Sequence, residues 1–499
     1  MNYKLKHCFL LVILVVVFGL IASGQTIENY KKSLAILSKS QTAMGVNNNP
    51  ILIAAKGTIY NLGHYETPEK TKELNLQETY GYFAKEKVAY LYSEMQNRGN
   101  TYKRASVSKF DSLYERGYYA RELARGTSQD FNFETARALP TEILRLAYQN
   151  RKSLRYLGEQ SPYHLISFSY SANQSTTLYI NQQTHLLEKV ETLGYSPIYG
   201  DVSFETVYKD FTDKNGLKIP STRMDYESGK LERELTYSEP RFDLKPDTSN
   251  LKIKWVPEQF KKKLTEPVST KEQFEFSAIS PTLDLVKIIS QNNKMLIAKF
   301  TDYIALFEVP QGIDLNLQLM DELKIRYPDR PLRYLFVTHH HPDHAGGIRA
   351  YATLPVTFVT TQGNKDYFDK LLITQHSVGS ARLMNTEPIR MKMDFIPING
   401  KKKFKDKANE VVGYEIGINT SHTNEHIAYY FPKSKILWTG DLLFFDQKET
   451  VYPAGARGKS IYDLIVAKKL VVDKIYTSWP LHGQKEFGTI AFLKKLTTP

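Results

Sequence analysis

The run His339-His340-His341-Pro342-Asp343-His344 constrains this chain more than any other feature of it. It follows directly on Leu332-Arg333-Tyr334-Leu335-Phe336-Val337-Thr338, whose apolar and aromatic content reads as a buried strand. Behind it, Ala345-Gly346-Gly347 reads as the opening of a helix, with two glycines that let helix and loop approach closely. Four metal-ligating side chains therefore converge on one strand end. His339 and His341 are one residue apart, so both can face one ion from an extended loop, while Asp343 and His344 turn toward a second. A strand that ends in ligands and hands over to a helix calls for layered α/β surroundings. Those surroundings are present: strands are expected at 294–300 and 303–308, with a helix at 315–326.

Three more candidate ligands stand at the ends of expected strands. Ser421-His422-Thr423 follows 414–419, Thr439-Gly440-Asp441 ends 436–438, and Leu481-His482-Gly483 follows 474–478. Seven of the 12 histidines (His339, His340, His341, His344, His422, His426, His482) fall in these clusters, a concentration that scatter does not give. The segment Thr338 to Gly347, THHHPDHAGG, resembles the signature of the metallo-β-lactamase superfamily, whose fold is an αββα sandwich. The resemblance extends over 274–499. It implies that His339, His341 and His422 hold one metal, that Asp343, His344 and His482 hold another, and that Asp441 bridges the two. It also implies that Asp343 orients the attacking water or passes its proton, and that His340 points away from the metals. His426 is a candidate for a place behind the ligands or beside the substrate. Tyr452, Arg457 and Lys459, in the Pro- and Gly-punctuated stretch VYPAGARGKS, are candidate substrate contacts, because a cation there can hold an anionic group.

Imidazole and carboxylate ligands suit two Zn2+ ions, and iron or manganese fits the same donors. Such a pair brings a shared water toward neutral pKa, making a metal-bridging hydroxide the expected nucleophile. Within the superfamily, the short interval between His422 and Asp441 leaves no room for the inserted domain of its nucleases, so no nucleic-acid partner is expected. The short tail after His482 likewise lacks the extension of a glyoxalase II. Metallo-β-lactamases proper lack an aspartate at the bridging position, and one group carries a cysteine there. Asp441 therefore points to a small-molecule ester, thioester or lactone substrate, with a periplasmic β-lactamase and an envelope binding protein as alternatives.

The first 24 residues have their own logic. Lys4 and Lys6 precede the apolar run 9–20, and Ala22-Ser23-Gly24 follows, the order of a secretory signal peptide. An exported protein, periplasmic or secreted, is expected, with an uncleaved membrane anchor as the alternative. The only cysteine, Cys8, precedes the apolar run, so a mature chain would offer no thiolate. A net charge of +13 raises the question of an anionic partner; the basic residues are scattered, and envelope-surface association is the partner class they leave open.

At 499 residues, with 41% hydrophobic and 24% charged residues, the chain supports two folded units. Residues 25–256 are expected to form an α+β, mostly antiparallel domain, with helices at 28–44 and 136–157. Strands follow at 164–170, 177–180, 186–192, 202–211, 217–225 and 232–237. Asn215-Gly216 and Ser228-Gly229 sit where hairpin turns belong. This half resembles the curved sheet around a helix of periplasmic lipoprotein carriers; a domain that only buttresses its neighbour is the other reading. A Lys-, Glu- and Pro-rich linker is placed at 257–273, and the α/β catalytic domain at 274–499.

Overall fold

The computed structural model describes residues 26–97, 99–109, 112–116, 124–127, 129–172, 174–242, 272–378, 391–448 and 450–497. The expected signal peptide, and residues 257–271 of the linker expected at 257–273, lie outside them. The described residues divide into two compact units, and the division does not follow the chain in one cut. Segments 60–73 and 195–202 group with the described residues from 272 onward, while the other described residues up to 242 form the other unit.

The first unit is built on a fourteen-stranded sheet of two antiparallel meanders. One runs from Ile51–Leu62 to Ala124–Thr127 and the other from Arg155–Gln160 to Lys230–Tyr237, and the first strand of one pairs with the last of the other. Both expected hairpins form, with left-handed φ at Asn215, Gly216, Ser228 and Gly229, as tight turns between twisted strands require. Helices Ile27–Met44, Gln129–Arg137 and Pro140–Gln149 cover the sheet, and Leu37, Ile143, Leu144 and Phe168 meet in their shared core. The single helix expected over 136–157 is instead broken into several elements, the first of them the end of helix Gln129–Arg137. Pro140 opens a new helix as its N-terminal residue, Arg151–Ser153 closes it as a 3-10 turn, and Arg155–Gln160 is already a strand.

The second unit stacks two sheets. The strands of the seven-stranded sheet alternate their faces: Leu285, Leu296, Ala305, Phe307 and Phe336 turn one way, Val286, Ile297, Leu306 and Leu335 the other. The first set packs against Ile427, Tyr429 and Trp438 of the five-stranded sheet, making the inter-sheet core. The second set is covered by helices Ile313–Arg326 and Lys365–Leu372. Helices Gly455–Ala467 and Ile490–Thr497 cover the far face of the smaller sheet. The result is the expected αββα sandwich. Strands Ile304–Phe307, Leu332–Phe336 and Thr357–Thr361 run parallel, so their C-terminal ends share one edge.

Candidate metal centre

The ligand-bearing loops leave strands at that edge, and backbone bonds tie them together. Ile427 N–H donates to Thr338 O at 2.7 Å, Val309 N–H to His344 O at 2.7 Å, and Ser478 N–H to Gly440 O at 2.8 Å. Pro342–Ala345 makes one helical turn, which presents Asp343 and His344 in succession. Gly440 has φ +63°, and a β-carbon there would lie 2.7 Å from Thr338 Oγ1, so only glycine lets Asp441 follow its strand so tightly. The strand expected at 414–419 ends earlier, at Glu415, because Gly417–Asn419 coils into a 3-10 turn before His422.

Three groups of donors result, each with its ligand atoms within 4.8 Å of one another: His339, His341 and His422; His339, His344 and Asp441; and His64, His341 and Asp343. His422 Nε2 and His339 Nε2 face each other at 3.1 Å. Asp441 Oδ1 lies 3.0 Å from His422 Nε2 and 3.8 Å from both His339 Nε2 and His344 Nε2, between the first two groups. His341 Nδ1, Asp343 Oδ1, His344 Nε2 and Asp441 Oδ1 are buried with no hydrogen-bond partner. Buried polar atoms are rarely left so. Orphaned ligand atoms gathered in these groups fit divalent metal, and their nitrogen and oxygen chemistry suits such an ion.

The ring nitrogens opposite the ligand atoms are held. His341 Nε2 bonds Tyr65 O at 2.8 Å, and His344 Nδ1 lies 3.4 Å from Glu308 Oε1. Such bonds fix tautomer and ring orientation for metal binding. Burial, joined by neighbouring imidazoles, pushes His339 and His341 well below the usual histidine range, so both rings are neutral at pH 7. Burial works the same way on His344, but Asp343 and Glu308 outweigh it and raise its pKa. Asp441 is held well below the carboxylate range: burial opposes its charge, and His422, His344 and Arg457 overcome that.

His482 joins none of these groups. It lies exposed in a turn whose backbone N–H donates to Asn292 Oδ1 at 2.6 Å. His340 also joins none, and its buried ring stands edge-on to Tyr367. His426 is fully buried, stacks on His339 at 4.8 Å, and contacts Thr439 O through Nε2 at 3.1 Å. That puts it behind His339, in contact with the backbone that leads to Asp441. Of the candidate substrate contacts, Arg457 approaches the site, with Nη1 3.8 Å from Asp441 Oδ2. Arg457 and Lys459 belong to helix Gly455–Ala467 and not to a loop, and Lys459 turns outward to pair with Asp463. Tyr452 spends its hydroxyl on the Phe444 backbone.

Two residues escaped the sequence reading. Glu308 has no motif around it, and its only signal is its place at a strand end on the ligand edge. His64 lies in the other half of the sequence and carried no signal.

Residues 309–479 match the family model described as the metallo-beta-lactamase superfamily. No curated protein matches the chain. Similar solved structures include a metallo-beta-lactamase from Pontibacter korlensis, 18% identical with a TM-score of 0.33, covering 45% of this chain and 96% of that one. Another is FIM-1 from Pseudomonas aeruginosa in its mono-zinc form, 15% identical with a TM-score of 0.32, covering 45% of this chain and 92% of that one. With the family match lying over the histidine cluster and the strand ends that build it, residues 309–479 form a domain of the metallo-beta-lactamase superfamily, a family of metal-dependent hydrolases.

Proposed function

We propose that the chain is an exported hydrolase that uses two metal ions to cleave an ester, thioester or lactone. The observation that carries the dinuclear reading is the position of Asp441 Oδ1, within 3.8 Å of histidine nitrogens from two separate donor groups. Bound there, two zinc ions would supply a Lewis acid and an activated water. Asp343 Oδ2, 3.4 Å from His344 Nε2, is placed to orient that water or take its proton, and its side chain keeps partial exposure. Arg457 adds positive charge beside Asp441 at the same edge.

The substrate class follows from Asp441. A carboxylate between the metals offsets part of their positive charge, which suits a leaving group that departs as alkoxide or thiolate. An expelled amide nitrogen, as in a β-lactam, asks for more. Export rests on the order of charged, apolar and small residues in the first 24.

The test is metal analysis beside kcat/KM for lactones, thioesters and a chromogenic cephalosporin, each with and without chelator. We expect two ions per chain, chelator-sensitive turnover of lactones or thioesters, and loss of metal and nearly all activity in Asp441→Ala. Efficient cephalosporin turnover with lactones and thioesters untouched would overturn the substrate assignment, and one ion per chain in fully loaded protein would overturn the bridging role.

A further inference from the structure

Segment 60–73 precedes the metal motif by most of the chain, yet it belongs to the compact unit that holds it. Its turn carries His64-Tyr65-Glu66. The His64 ring stacks on the His341 ring, centroids 4.3 Å apart and planes at 22°. Its ligand atom lies within 4.8 Å of those of His341 and Asp343. Asp343 Oδ1 is buried and has no partner.

The turn is fastened on three sides. Tyr65 O receives the His341 Nε2 contact at 2.8 Å, across 276 residues of sequence, and this leaves His341 Nδ1 as that ring's ligand atom. Glu66 O accepts from Asn424 N–H at 2.8 Å, next to the His422 loop. Gly63 takes φ +70°, and a β-carbon on it would meet Tyr199 Oη at 2.9 Å. A surface turn that merely passed the site would need none of these anchors. By contrast His482, the residue the family resemblance offers for the second ion, is exposed and outside every donor group.

We propose that His64 is a ligand of the second metal, which it shares with Asp343, so that the centre is completed from the N-terminal half of the sequence. The assignment rests on the dinuclear reading above. It makes the hydrolase site dependent on a turn that no metal-ligand motif of the C-terminal half contains.

The experiment is a Co2+ titration of the full chain, followed by visible absorption and by competition with a chelator. The parent is expected to take two ions. His64→Ala and His64→Gln should bind the second ion weaker by about 10–100-fold or more and alter its absorption band, with the first ion's affinity kept. Tyr65→Ala retains the backbone carbonyl that His341 uses and should keep both ions, separating the imidazole from the packing of the turn. Circular dichroism of each variant verifies folding. Unchanged second-ion affinity and spectrum in the His64 variants, with His482→Ala losing that ion, overturns the proposal while leaving the dinuclear reading intact. Equal loss in Tyr65→Ala overturns it in favour of packing. A parent that takes one ion overturns both readings.

Discussion

Glu308 binds the two sheets of the hydrolase domain at their ligand edge through one carboxylate. It is fully buried, and it accepts from Thr338 N–H at 3.2 Å, Thr338 Oγ1 at 2.8 Å and Trp438 Nε1 at 3.2 Å, besides its approach to His344. Its backbone has φ 74°, a conformation costly for a residue with a β-carbon and tolerated where surroundings dictate it. Removing the carboxylate strands several buried donors, at about 1–3 kcal/mol each. Glu308→Ala should therefore unfold at clearly lower urea and lose about 10–100-fold in metal affinity through the freed His344 ring. Glu308→Gln, which keeps an acceptor, should lie between it and the parent. Parental stability and metal affinity in the alanine variant would remove Glu308 from this role. The histidines were legible because their ligands are contiguous and the strand before them is strongly apolar. Glu308 was not, because its partners stand 30 and 130 residues away and nothing local marks them.

At the scale of elements, turn chemistry was readable and inward charge was not. Asn215-Gly216 and Ser228-Gly229 located the hairpins because few other residues accept their φ values. The strand between them, Leu217–Glu227, shares a buried ionic cluster with strands Lys230–Tyr237 and Thr71–Phe83. Arg223 and Asp225 are almost completely buried and paired at 2.6 Å; Arg223 also donates to Tyr80 Oη at 2.9 Å, and Arg233 pairs with Glu78 at 3.1 Å. Polar residues at these positions read as solvent-facing in a period-two pattern. Burial works against the Asp225 charge, but Arg223, Arg233 and Arg137 hold its pKa well below the usual range. A folded pKa below the unfolded value of about 3.9 means the stabilisation is complete above that pH and is lost as pH falls toward the folded pKa. Asp225→Asn leaves Arg223 buried without its counter-charge, and we expect a loss of about 3–5 kcal/mol at pH 7. Its stability should also vary less than the parent's as pH falls below about 4. Urea unfolding of both proteins from pH 7 to pH 2 measures this, and parallel pH curves would refute it.

At the scale of the molecule, the αββα half was legible because buried strands alternate with helical periods and ligands punctuate their ends. The first six strands of the other half, from 51 to 127, carry no motif that marks them as strands. Nor could any pattern reveal that 60–73 and 195–202 group with the hydrolase unit, since that is a property of long-range packing. This grouping has a thermodynamic consequence. A metal that binds only the folded second unit stabilises that unit by RT ln(1 + [L]/Kd), about 4 kcal/mol at a thousandfold excess over Kd. The first unit has its own core around Leu37, Ile143 and Phe168 and gains nothing directly. Amide hydrogen exchange with metal and with chelator separates the two. Chelation should speed exchange in 283–307, 332–341 and 427–438, leave 163–181 unchanged, and speed exchange in 60–73 together with the hydrolase unit. Exchange in 60–73 that stays with the first unit, indifferent to chelator, would show that this turn is not part of the metal-bearing body.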